Sequence, residues 1–166
     1  MKSTIIFFMM KLSLFSSSLT IGEKAPNFNL KDQDGKIHQL NDYKGKKLII
    51  YFFPKAFTPG WTKQACGLRD NYSSFRTKNI SILGVSYDSK SKLKDFKERY
   101  ELKFNLLSDN DKVMGSLYDV NTFYFFPQRK TFLIDENGIL VHIINSVNIN
   151  NHSEDILTIF KNIGGT

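Results

Sequence analysis

The sequence predicts an α/β fold: a mixed central sheet flanked by helices, with an added N-terminal β-hairpin. Three observations predict it. A continuous apolar run of strand length at 47–53 has the composition of a strand covered on both faces, and 80–87 reads as a second buried strand. Apolar residues at helical spacing follow each of them. Turn signals at Asp34-Gly35 and at Asp135-Glu136-Asn137-Gly138 mark antiparallel hairpins near the two ends of the chain. The 166 residues suit one domain, assigned to 19–166, behind an extension at 1–18.

Taken in order, Ala25 to Leu30 alternates and is expected to pair with Lys36 to Leu40 across the Asp34-Gly35 turn. Lys47 to Phe53 is the first buried strand, ended by Pro54. Residues 61–77 are expected to be one helix, because Trp61, Ala65, Leu68, Tyr72 and Phe75 recur at spacings of four and three on a single stripe. Ile80 to Tyr87 is a second buried strand. Ser89 to Tyr100 is a helix with Leu93, Phe96 and Tyr100 inward, and a short helix is expected over 112–118. Lys130 to Ile134 and Ile139 to Asn145 form the closing hairpin. The last helix spans roughly 152–162, with Ile156, Ile159, Phe160 and Ile163 as its core face.

Hydrophobic content of 41% describes a globular chain, and no run of eighteen apolar residues suggests a membrane span. The net charge of +7 favours acidic partners, but Lys44, Lys46, Lys47 and Lys90, Lys92, Lys94, Lys97 are dispersed as on solvated faces. Nucleic-acid protection would rest on charge alone. Cys66 is the single cysteine, so neither an internal disulfide nor a cysteine-based metal site can form. His38, His142 and His152 lie far apart, so no metal site and no cofactor is expected. Residues 1–18 make a poor export signal, since Lys11 breaks the apolar run after Ile5 to Met10. A cytoplasmic protein is expected, with export through that weak segment as the alternative.

The most informative stretch runs from Pro54 through Thr58, Pro59, Gly60 and Trp61 to Cys66 and Asp70 (PKAFTPGWTKQACGLRD). It resembles the active-site loop of the peroxiredoxins, in particular the bacterioferritin-comigratory (BCP/PrxQ) branch. GEKAPNF, LGVSYD, LLSDND and RKTFLIDENG extend the likeness over most of 19–163. The resemblance implies a thioredoxin-like fold, a peroxide substrate, thioredoxin or a small thiol as reductant, and a monomer. It implies a peroxide pocket of Pro54, Thr58, Gly60 and Arg129, and it puts the peroxidatic sulfur at position 61.

This chain has Trp61 there, and an indole cannot attack a peroxide. Cys66 matches the resolving cysteine of the branch. Five residues along a helix is about 140° around the axis and about 7.5 Å along it, so Cys66 points away from the Trp61 stripe. Lys63 and Arg69, three residues to either side, favour its thiolate, and Asp70 opposes it.

Two functional readings follow. In the first, Cys66 is the nucleophile of a one-cysteine thiol peroxidase. In the second, the chain is an inactive scaffold that binds a partner or acts as a holdase, with Arg129 stacked on Trp61 as a cation–π pair. Plainer roles stand beside these: Trp61 as a core residue, Cys66 as an inert helix residue, Thr58 as a helix cap and Arg129 as a surface ion pair.

Overall fold

The computed structural model describes residues 19–122 and 125–164; the N-terminal extension expected at 1–18 lies outside them. The sheet has seven strands: β1 (Asn29–Asp32), β2 (Ile37–Gln39), β3 (Lys47–Phe52), β4 (Ile80–Ser86), β5 (Asn105–Ser108), β6 (Thr131–Ile134) and β7 (Leu140–Ile144). Their order is β2-β1-β5-β4-β3-β6-β7. β3, β4 and β5 run parallel at the centre, and antiparallel pairs extend the sheet on both sides. The N-terminal hairpin is thus part of the main sheet, joined through Lys31 opposite Ser108.

The central position explains why the β3 sequence is apolar without alternation. Ile49, Tyr51 and Phe53 enter one core with Ala65, Leu68, Phe96, Ile156 and Phe160. Leu48, Ile50 and Phe52 enter a second core on the opposite face with Phe28, Tyr118 and Phe132. Successive strand residues point to opposite faces, so burying both faces requires every residue to be apolar.

The helices are α1 (Pro59–Asp70), α2 (Tyr72–Thr77), α3 (Lys90–Arg99), α4 (Val113–Leu117) and α5 (His152–Ile163). The single helix expected over 61–77 is therefore two, broken at Asn71. There the Asn71 side chain donates to the carbonyl of Gly67 at 3.0 Å, and such local bonds compete with helix continuation. The first strand begins at Asn29 rather than at Ala25; Ala25 and Phe28 are core residues in the approach to it. β5 is not apparent from its four residues, and a 3-10 turn at Leu40–Tyr43 follows β2.

Ile163, expected in the core, is 41% exposed. Ile156 and Phe160 are buried as expected, and His152 and Ser153 extend the buried face one turn earlier. Among the described residues no helix is long and apolar enough to cross a membrane.

Candidate active site

The site is built where β3 delivers the chain to α1. Pro54 ends the strand and the loop turns over Phe57, which adopts a positive φ of 69° and sets its ring edge-on against Phe96 at 5.2 Å. A carboxylate anchors this loop: Asp88 Oδ2 accepts from the backbone N–H of Ala56 at 2.7 Å, and its Oδ1 accepts from Lys92 Nζ at 2.6 Å. Sequence reasoning gave Asp88 no role; its only signal was its place in the LGVSYD motif.

Thr58 occupies the N-cap position and Pro59 the first helical turn, where a missing N–H costs nothing. The Thr58 hydroxyl does not cap the helix. It donates to the carbonyl of Lys55 at 2.9 Å, so it stiffens the loop. Gly60 has no unusual backbone angle; a methyl group there would meet Ile149 Cδ1 at 3.5 Å, an ordinary contact. Ile149, on the segment after β7, thus borders the loop, and nothing in the sequence marked it.

Trp61 is half-buried and packs on the first core. The guanidinium of Arg129 lies over its ring, 3.7 Å from the centroid. The Arg129 side chain makes no hydrogen bond or ion pair with the other described residues. Burial shifts its pKa downward from the usual value. The Arg129 cation is therefore in face contact with an indole.

Behind this pair runs a buried polar chain. His152 Nδ1 is 3.2 Å from Gln64 Nε2, and His152 Nε2 is 3.0 Å from Thr131 Oγ1. All three side chains are buried. Burial, and secondarily the charge of Arg129, pushes the His152 pKa down to about 4, so the ring is neutral at pH 7. Ser153 donates to the carbonyl of Gly67 at 3.0 Å, which adds a second tie between α5 and α1. His152 and Gln64 were missed because the two residues lie 88 positions apart. Their one sequence signal was a histidine at a helix start.

Cys66 lies further along α1, half-buried. The flanking cations are engaged unequally. Arg69 sends Nε and Nη2 to Asp70 Oδ1 at 2.9 and 2.8 Å, and Nη1 to the carbonyl of Tyr100 at 2.7 Å. Its pKa is raised, first by the hydrogen bond to Asp70 and to a smaller degree by Cys66. Lys63 is exposed. On the sheet side, burial raises the Tyr51 phenol well above its ordinary value, and the nearby Cys66 adds to the shift. Of the predicted pocket residues, Arg129 meets Trp61 in the first turn of α1, while Pro54 and Thr58 belong to the preceding loop; Cys66 lies further along the helix, near Arg69. Among the described residues no group of three His, Cys, Asp or Glu side chains is placed to hold a metal.

Residues 21–143 match the model of the AhpC/TSA family. The chain belongs to that family. Within it the relatives are peroxiredoxins of the Bcp/PrxQ kind. The chain is 41% identical to the putative peroxiredoxin bcp of Coxiella burnetii over 147 residues, covering 84% of this chain and 97% of that protein. It is 39% identical to peroxiredoxin Bcp of Escherichia coli K12 over 150 residues, covering 86% and 96%. The solved structure of peroxidoxin BcpB from Mycobacterium tuberculosis superposes with a TM-score of 0.81 at 28% identity, covering 88% of this chain and 99% of that one. Xylella fastidiosa PrxQ superposes with a TM-score of 0.80 at 29% identity, covering 87% and 97%. The thioredoxin-like architecture expected of a peroxiredoxin of this branch is therefore the one observed.

Proposed function

We propose that this peroxiredoxin is a thiol-dependent peroxidase that reduces hydrogen peroxide and organic hydroperoxides by one-cysteine chemistry at Cys66. The observation that carries the reading is the placement of the only thiol, half-buried on the helix that opens the site, within electrostatic reach of Arg69. The Cys66 thiolate attacks one peroxide oxygen and the O–O bond breaks. The leaving oxygen takes a proton and departs as water or an alcohol, and the sulfur becomes a sulfenic acid. A first external thiol condenses with it, releasing water and forming a mixed disulfide. A second thiol attacks that disulfide at the external sulfur, returning Cys66 as the thiol and leaving the external disulfide. Thioredoxin or a small thiol is the reductant in this proposal, which also takes the protein to be a cytoplasmic monomer. Peroxide consumption with thioredoxin and with a small dithiol tests it. Cys66→Ser is expected to abolish turnover, and a Cys66→Ser protein as fast as the parent would sink the proposal.

The Arg129–Trp61 stack favours a second reading, in which the former peroxide centre is closed and the protein serves as a binding or holdase scaffold. Its mark is a parent that consumes peroxide no faster than a free thiol of ordinary pKa, whatever the reductant.

A further inference from the structure

The basic run Lys44, Lys46, Lys47 plays no part in the peroxide chemistry and lies at the other end of the sheet, where β3 and β4 begin and β6 ends. Two cavities adjoin there, of about 310 and 370 Å³, each of a size that suits a small ligand. Tyr43 and Lys46 line both. We propose that the two cavities together form a binding site for a small polyphosphorylated molecule with a planar body, of the nucleotide class.

Charge is the first argument. Lys24 and Lys44 line the first cavity, Arg76 and Lys103 line the second, and Lys46 belongs to both. None of these five cations has an ion pair among the described residues, whereas the adjacent Lys47 reaches Glu136 at 3.8 Å. Among the described residues Asp135 is the only carboxylate lining either cavity. Its Oδ1 is committed to the turn, accepting from the backbone of Asn137 and Ile139 at 2.9 Å each. Five cations against one carboxylate in a concave site concentrate anions. Arg76 and Lys103 supply a planar fork and a point charge, the two standard ways of holding phosphate.

Shape is the second argument. The first cavity has an apolar floor of Leu40, Leu48 and Ile134, and the amides of Asn41 and Asn137 stand among its lining residues. A planar ring with polar edges suits that combination. The second cavity sets Arg76, Lys103, Asn79 and Asn105 beside Ile80 and Phe104, and its basic and amide groups suit the phosphates. The half-buried Tyr43 is fixed at the junction by a 2.7 Å hydrogen bond between its hydroxyl and His38 Nδ1.

Isothermal titration of the full chain with ATP, inorganic triphosphate and a single-stranded oligonucleotide, at about 0.15 M salt, tests the site. ATP is expected to bind one-to-one and at least about tenfold more tightly than triphosphate. Lys46→Glu with Arg76→Glu is expected to weaken ATP by at least about tenfold, and Lys31→Glu with Lys90→Glu, an equal change in net charge elsewhere, to leave it unaltered. Equal weakening by the two double variants would show attraction to net charge alone and overturn the proposal. It is overturned equally by ATP and triphosphate binding alike, by tighter binding of the oligonucleotide, or by no saturable binding. The outcome does not depend on Cys66, so Cys66→Ser is expected to bind ATP as the parent does.

Discussion

The first turn of α1 and its middle are surrounded by different chemistry. The first turn has free backbone N–H groups, the positive end of the helix dipole, a loop fixed by Asp88, and the Arg129 cation. All of these favour an anion, yet the side chain there is an indole. The middle of the helix carries the sulfur, where the backbone amides are already bonded and the dipole has faded. Its nearest guanidinium, Arg69, is bound to Asp70 and to the Tyr100 carbonyl. The groups that favour an anion and the thiol thus lie about one and a half turns of helix apart. The field at the first turn comes from the backbone and from residues distant in sequence, so it does not depend on which side chain stands at position 61.

The sharpest way to break this comparison is to return a thiol to the first turn. Trp61→Cys is expected to raise peroxide consumption by at least about a hundredfold over the parent, since an unreactive side chain becomes a nucleophile facing Arg129. Steady-state peroxide assays check it, and no gain would mean that the loop and Arg129 do not activate a thiol at this position.

The next effect is on stability. His152 has a folded pKa of about 4 against about 6.5 for an unfolded chain. The unfolded state binds the proton first, so stability is fully present above about pH 6.5 and is lost as pH falls toward 4. The loss is on the order of 3 kcal/mol over that window. Urea unfolding of the parent and of His152→Gln between pH 7.5 and 4.5 (about three units) checks this; the variant is expected to lose most of that pH dependence.

A smaller effect belongs to the stack. Arg129→Ala is expected to cost about 1 kcal/mol and to change the emission of Trp61, the only tryptophan of the chain. Unchanged fluorescence would argue against stacking in solution. The smallest is Thr58→Ala, expected to cost under about 0.5 kcal/mol, less than a true N-cap, because its hydroxyl bonds Lys55 rather than the helix. A loss above about 1 kcal/mol by thermal unfolding would restore the capping role.

Much of the fold was legible in the sequence because its signals are local. The β3 and β4 runs, the Asp34-Gly35 turn and the Leu93 and Phe96 stripe of α3 each depend on neighbours in the chain. β5 was not legible, since four residues between two partner strands carry little periodicity. The break at Asn71 was hidden because the apolar stripe continues across it from Leu68 to Tyr72 and Phe75.

The same division holds at the site. By itself the sequence determined the loop from Pro54 to Gly60, the indole at position 61, the lone thiol at Cys66 and the arginine at position 129. Only the tertiary structure decided that Arg129 lies on Trp61, that Asp88 holds the loop, and that His152 is buried between Gln64 and Thr131. A residue type fixes which chemistry is available. Which groups meet, and in which protonation state, depends on packing between segments far apart in the chain and on the water that packing excludes.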